Sequence, residues 1–233
     1  MLFPPCCLFC HVPVDGSGCC KDCLQDIKPI VSAVCNRCGK ELSKDLAPGP
    51  CGKCLRSPPF QVETNTLFAY QGAVRSAILA WKLGGDDAAV HWLIKTSSQR
   101  LKTVFKPDDL LLPVPMPLSR MRKSGQHHAA DLTRMIADVV GCKWEWQLLR
   151  RHGEQKRQSA LSGVARRKNL RKSFHLNNDY LQSIQLKRHV SGRIWVVDDI
   201  LTSGATLHCA SKALRSLQQP VYAFSLARTL HHK

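Results

Sequence analysis

Apolar residues recur along this chain in two rhythms. Short runs at Thr66–Tyr70, Leu110–Leu112 and Ile194–Val197 have the length and composition of buried strands. Between them the apolar positions fall at helical spacing. Val74, Ile78 and Trp81 predict a helix over Ala73–Leu83 that stops at Gly84-Gly85. Val90, Leu93, Ile94, Leu101 and Val104 predict a second, capped by Asp86 or Asp87. Ala129, Leu132, Ile136 and Val139 mark a third over Gln126–Val140, ended by Gly141. Leu207, Ala210, Leu214 and Leu217 mark a fourth after the last strand. Strands alternating with helices predict a three-layer α/β domain over residues 59–233. Its sheet is mainly parallel, and its ligand site lies at the carboxyl ends of the strands. Ser57-Pro58-Pro59 separates this body from residues 1–58, because prolines disfavour continuing a helix or a ladder.

The head is set apart by cysteine. Of twelve cysteines only Cys142 and Cys209 lie beyond residue 55. Four pairs share Cys-x-x-Cys spacing: Cys7/Cys10, Cys20/Cys23, Cys35/Cys38 and Cys51/Cys54. Two thiolates so spaced can point at one tetrahedral ion, and two such knuckles complete a Cys₄ site, so eight ligands imply two zinc ions. The spacing leaves open whether the knuckles pair in sequence order or interleave. Cys6 and Cys19 adjoin two ligands, and the x₂ register favours Cys7 and Cys20. A head with few large apolar side chains needs the folding energy that metal supplies, so the zinc is read as structural.

The densest chemistry lies at Val196-Val197-Asp198-Asp199-Ile200-Leu201-Thr202-Ser203-Gly204-Ala205-Thr206. A β-prone run ends in two adjacent carboxylates, then a hydroxyl- and glycine-bearing loop opens a helix. Free amides and the positive end of the macrodipole there suit a phosphate. Gly204 and Ala205 allow close approach, and the hydroxyls of Thr202, Ser203 and Thr206 add donors. Asp198 and Asp199 cannot serve the same phosphate; they suit sugar hydroxyls or Mg²⁺ held through water. Upstream, Leu110–Leu112 runs into Pro113-Val114-Pro115-Met116-Pro117, a stiff loop whose basic tail (Arg120, Arg122, Lys123) can meet an anion.

Charge sharpens the picture. The formal net charge is +17, which favours an acidic partner or substrate. Nine Lys/Arg against the one acid Glu154 fall between Arg150 and Lys172. Such a run suits a mobile loop ordered by an anion or a groove for single-stranded nucleic acid, although it contains no aromatic for base stacking. Its segment Arg166–Lys172 lacks helix breakers. No stretch of about 18 apolar residues predicts a membrane span. The start, Met1–Cys6, lacks the regions of a secretory leader, so a cytoplasmic location is expected.

The Val196–Thr206 stretch resembles the phosphoribosyl-pyrophosphate (PRPP) loop of type I phosphoribosyltransferases, and Leu110–Arg120 resembles their pyrophosphate loop. In full order the chain has a cysteine-rich head, Tyr70…Lys82-Leu83-Gly84-Gly85 and Leu112-Pro113-Val114-Pro115. Gln158…Leu161…Arg167…Asn169…Phe174 and Val197-Asp198-Asp199…Thr206 follow. That order is similar to the ComF family of competence-associated proteins, the ComFC and GntX-like group. The resemblance implies a double zinc ribbon fused to a type I phosphoribosyltransferase-like fold. It also implies PRPP bound with magnesium, and a part in the uptake or use of single-stranded DNA alongside DNA-uptake machinery proteins. It assigns Asp198 and Asp199 to the ribose and to any catalysis, Thr202, Ser203, Gly204, Ala205 and Thr206 to the 5-phosphate, and Arg120 to the pyrophosphate. Arg157, Arg166 and Arg167 would belong to a closing loop. Ser124-Gly125-Gln126-His127-His128 departs from the family's usual Arg-Gly-Phe-Asn-Gln, and these histidines are expected at the surface or near phosphate, not on a metal.

Three functions fit these residues: a PRPP-binding module serving DNA uptake, an active phosphoribosyltransferase in base or nucleotide salvage, and a PRPP-sensing regulator that binds nucleic acid. The motifs describe only the phosphoribosyl half of a reaction and name no acceptor.

Overall fold

The computed structural model describes residues 5–16, 18–31, 34–43, 49–152, 173–183 and 191–230. Its elements run α1 (Lys21–Asp26), α2 (Gly52–Arg56), β1 (Glu63–Ala69), α3 (Gly72–Gly84), α4 (Ala88–Thr96), α5 (Ser98–Val104) and β2 (Leu110–Pro113). There follow α6 (Leu118–Ser124), α7 (His128–Val140), β3 (Lys143–Trp144), β4 (Leu149–Arg151) and β5 (Phe174–Leu176). The chain closes with α8 (Asn178–Ser183), β6 (Ile194–Leu201), α9 (Ala205–Ala213) and β7 (Val221–Arg228).

Five strands form one parallel sheet in the order β1-β7-β6-β2-β3, while β4 and β5 pair antiparallel in a sheet of their own. Alternate residues of the central strands enter opposite cores. Trp195 and Val197 of β6 join Leu111, Phe224 and Leu226 against Val74, Ile78, Leu93, Leu132 and Ile136 of α3, α4 and α7. Ile194 and Val196 join Leu112, Val221 and Ala223 against Leu207 and Ala210 of α9 and against Leu149 and Phe174 of the small sheet. Both faces of β6 are covered, which is why Ile194–Val197 reads as an unbroken apolar run. The expected three layers are present, and the cysteine-rich head packs against them at the amino end.

One buried polar cluster anchors the start of β6. Asp109, 1% exposed, accepts from the Arg193 amide (2.9 Å) and guanidinium (2.8 Å) and from Trp195 Nε1 (2.9 Å). Burial alone would raise its carboxyl, but Arg193 more than offsets this and holds it below the usual range.

The structure corrects several expected boundaries. The helix expected through Leu101 and Val104 is two helices, α4 and α5, broken at Ser97. Thr96 Oγ1 there bonds the carbonyls of Trp92 (2.8 Å) and Leu93 (3.2 Å), the local competition that weakens hydroxyl residues inside helices. The third helix starts at His128 rather than Gln126. α9 ends at Ala213, so Leu214 and Leu217 belong to the turn that follows it. The basic tail after Pro117 is helical, as α6, and the stiff loop is confined to Val114–Pro117. Among the described residues, no helix is long and apolar enough to cross a membrane.

Candidate functional site

The parallel sheet brings the carboxyl ends of β2, β6 and β7 to one edge. There β6 emerges from the core, and its exposure changes from four buried residues to a half-buried Asp198 beside a buried Asp199. Asp199, 9% exposed, pairs with Lys82 Nζ at 2.7 Å. Asp198 Oδ1 accepts the Asp199 amide at 3.0 Å. Burial first, and then the charge of Asp199, raise the Asp198 carboxyl to about 8, against the opposing pull of Lys82 and Arg151. The pair is thus short of positive charge. A cation or a set of sugar hydroxyls placed on it would relieve both causes.

Lys82 stands in the last turn of α3, where the helix dipole favours a cation, and Gly85 at φ +74 ends that helix by donating to the Trp81 carbonyl at 3.0 Å. Its role was not assigned from sequence. The signal was present, since a helix stopped by Gly84-Gly85 fixes a lysine in its final turn, but only the fold brings that turn to Asp199.

Thr202 and Ser203 are exposed, and Gly204 adopts φ +77 as N-cap of α9. A Cβ on Gly204 would meet nothing closer than Leu201 Cδ1 at 3.6 Å, so the glycine is required by backbone conformation, not by crowding. Ser203 Oγ accepts the Ala205 amide at 3.4 Å. Asp198, Asp199 and Thr202–Thr206 therefore come together on one strand, loop and helix start.

The loop from β2 approaches the same edge. Arg120 lies exposed on α6, and its charge acts on His128 and Arg151. His127 caps α7 by accepting the Ala130 amide at 3.0 Å, and His128 packs edge-on to Trp81 at 4.7 Å. Burial lowers both imidazoles, so each is neutral near pH 7. Neither joins a ligand cluster among the described residues. Arg157, Arg166 and Arg167, with most of the basic run, lie outside the described residues.

In the head, Cys7, Cys10, Cys20 and Cys23 converge, and so do Cys35, Cys38, Cys51 and Cys54, each set with its ligand atoms within 4.8 Å of one another. The knuckles pair in sequence order. Sulfur separations of 3.7 Å (Cys10–Cys20) and 3.9 Å (Cys38–Cys51) match the edge of about 3.8 Å expected for a tetrahedron of 2.3 Å Zn–S bonds. Backbone amides point at the sulfurs: Cys20 N to Cys7 Sγ at 3.4 Å and Cys51 N to Cys35 Sγ at 3.2 Å. Burial would raise Cys7, but the amides of Cys20, Phe9 and Cys10 outweigh it and bring the thiol down to about 6. Cys35 reaches about 7 in the same way. Burial and neighbouring sulfurs push Cys23 and Cys54 up, so the four thiols of a set need a cation to ionise together. Both sets fit structural zinc.

The sequence matches the double zinc ribbon family over residues 1–55. The DNA utilization protein YhgH of Salmonella typhimurium is 26% identical over 235 residues, covering 97% of this chain and 98% of that protein. Competence protein F of Haemophilus influenzae is 24% identical, with 95% and 96% covered. Competence protein ComFC of Bacillus subtilis is 21% identical, with 90% and 84% covered. Two Cys₄ knuckle sets ahead of a parallel α/β sheet, and similarity to these proteins along nearly the whole length, support the resemblance to the ComF family.

Proposed function

We propose that the chain binds PRPP at the end of β6 and serves the use of imported single-stranded DNA, with the head and the α/β body dividing near residue 58. One observation carries this reading: Asp198 and Asp199 lie in the carboxyl half of the central strand, Asp199 paired with Lys82, and the short loop after Leu201 leads to a helix opened by a left-handed Gly204. The carboxylates accept the ribose hydroxyls and the water-held Mg²⁺ that travels with the ligand. Thr202–Thr206 holds the 5-phosphate at the amino end of α9. Arg120 and Lys82 supply positive charge for the pyrophosphate. The names of the relatives, DNA utilization and competence proteins, support the biological setting.

Calorimetry of the full zinc-loaded chain with PRPP and Mg²⁺ tests the reading. Saturable heat that disappears in Asp199→Asn is expected, and no heat from the native chain overturns it.

A second reading, pentosyl transfer, is favoured by the cationic cavity described below, whose Arg151 acts electrostatically on Asp198. An acceptor nucleophile would attack C1 of the ribose, the C1–O bond to pyrophosphate would break, and pyrophosphate would leave with the electron pair. Pyrophosphate release that depends on an acceptor distinguishes this from a binding module.

A further inference from the structure

The small β4–β5 sheet, α6 and the Val114–Pro117 loop enclose a cavity of about 180 Å³. Its apolar wall includes Met116, Met121 and Trp146, and its polar wall includes Arg150, Arg151 and His175. No carboxylate lines it among the described residues. The Arg150 guanidinium lies 5.3 Å from the centre of the Trp146 ring, and His175 stacks flat on His152 at 3.8 Å. The surfaces offered are therefore planar and polarisable.

Two nitrogens lack a partner. Arg151 Nε and His175 Nδ1 are buried with no hydrogen-bond partner among the described residues. A buried polar group left so costs about 1–3 kcal/mol, which a ligand oxygen would recover. His127, also on the wall, is occupied by backbone: the Ala130 amide lies 3.0 Å from its Nδ1 and the Met116 amide donates to its Nε2 at 3.3 Å. The Arg151 guanidinium and the His175 imidazole thus bring the unpartnered nitrogens to this wall.

We propose that this cavity binds a single-ring aromatic carboxylate, its ring against Trp146 and the two methionines and its carboxylate on Arg151 and His175. The volume is below the roughly 300–1,000 Å³ of ordinary ligand pockets and leaves room for one ring with its substituents, not for a nucleotide. A neutral ring would leave two arginines without a counter-charge in a partly desolvated space. Arg151 also lies within electrostatic reach of Asp198, which couples the cavity to the acidic pair. Its role as pentosyl acceptor rests on the PRPP reading; its binding does not.

The test is calorimetry of the full zinc-loaded chain without PRPP, using nicotinate, its neutral amide nicotinamide, acetate and thymidine 5′-monophosphate as probes. Nicotinate binds, nicotinamide binds at least about tenfold more weakly, and acetate gives no saturable heat. Arg151→Gln and Arg150→Gln each weaken nicotinate about tenfold and Trp146→Ala about fivefold, while Arg134→Gln on the exposed side of α7 leaves it unchanged. Arg150→Gln keeps the test open if Arg151→Gln fails to fold. Asp199→Asn abolishes PRPP heat and leaves nicotinate heat, so the two readings fail separately. Equal affinity for nicotinate and nicotinamide, tighter binding of the nucleotide, or nicotinate affinity unchanged in a folded arginine variant would overturn the proposal.

Discussion

The two cysteine clusters are each built from two Cys-x-x-Cys knuckles, yet they lean on different parts of the body. The first is joined to the helical layer. Phe9 meets Trp92 of α4 edge-on at 5.5 Å, and Cys7 and Phe9 belong to the larger core. Asp26, at the end of α1, accepts the Ala73 amide at 2.6 Å and so caps α3; a Cβ on Gly72 would collide with that carboxylate. The second cluster is joined to the strand ends. Arg228 of β7, 6% exposed, donates to the Cys38 carbonyl at 2.7 Å, and Thr64 of β1 donates to the carbonyls of Asn36 and Arg37, both at 2.7 Å. A Cβ added to Gly39 would lie 3.5 Å from one methyl of Leu201, and a Cβ added to Gly204 would lie 3.6 Å from the other. One cluster braces a helix core, and the other lies against the strand ends that lead into the Thr202–Thr206 loop. Identical coordination chemistry thus acquires different consequences from its neighbours alone.

The largest test of that contrast removes one ligand from each cluster. Cys7→Ser and Cys35→Ser each lower the zinc content of the purified chain from two ions to one, read by a colorimetric chelator. Structural zinc in small domains carries about 10–16 kcal/mol of apparent binding energy, so each change unfolds its own knuckle set. Cys7→Ser is expected to give the larger drop in Tm and Cys35→Ser the larger loss of PRPP affinity. The reverse order would break the comparison.

Next in size is Arg228→Met, which cuts the link between knuckle and strand without touching a ligand. Losing a buried charge-assisted hydrogen bond costs about 2 kcal/mol, and PRPP affinity is expected to fall about tenfold with both zinc ions retained. Unchanged affinity would reduce the second cluster to a stability device like the first.

Lys82→Met asks the matching question of α3, the helix that the first cluster caps. The Lys82–Asp199 pair is partly exposed, so its loss costs about 1 kcal/mol after solvent screening, and PRPP affinity falls with it.

Asp198→Asn changes stability in the opposite direction. The folded carboxyl is raised to about 8, above its unfolded value, so ionisation opposes folding progressively between about pH 4 and pH 8. The amide should raise Tm of the ligand-free chain by about 2–4 °C at pH 9 and leave it nearly unchanged at pH 4, while PRPP binding is lost. A Tm gain that does not grow with pH would show that Asp198 is not held in strain by its neighbours. The smallest effect belongs to Gly204→Ala, about 1 kcal/mol for a left-handed alanine, with a weakened phosphate site.

Local pattern carried much of this molecule. Unbroken apolar runs located β2 and β6, because strands covered on both faces need no alternation. Cys-x-x-Cys spacing identified eight ligands, since a tight knuckle is a local structure. Asp198 through Thr206 was legible for the same reason, as a strand, loop and helix start contiguous in the chain. β7 was not legible: Ser225 and Arg228 break its apolar run, and Ser225 finds its partner, Thr66 Oγ1 at 2.9 Å, only across the sheet. The boundary at Ser97 and the short α6 were likewise set by side-chain competition and packing that periodicity does not record.

The sequence by itself determined the elements and the chemistry that lie within a few residues of one another: strand runs, zinc knuckles, and an acidic pair ahead of a phosphate-type loop. Tertiary structure alone decided which knuckles share an ion, that Lys82 meets Asp199 across more than a hundred residues, and that Trp146 and His175 face the same cavity. It also decided which cluster lies nearer the loop. Contacts of that kind exist only after distant segments have been brought together by burial of the two cores, and burial constrains residue type far more strongly than it announces the partner.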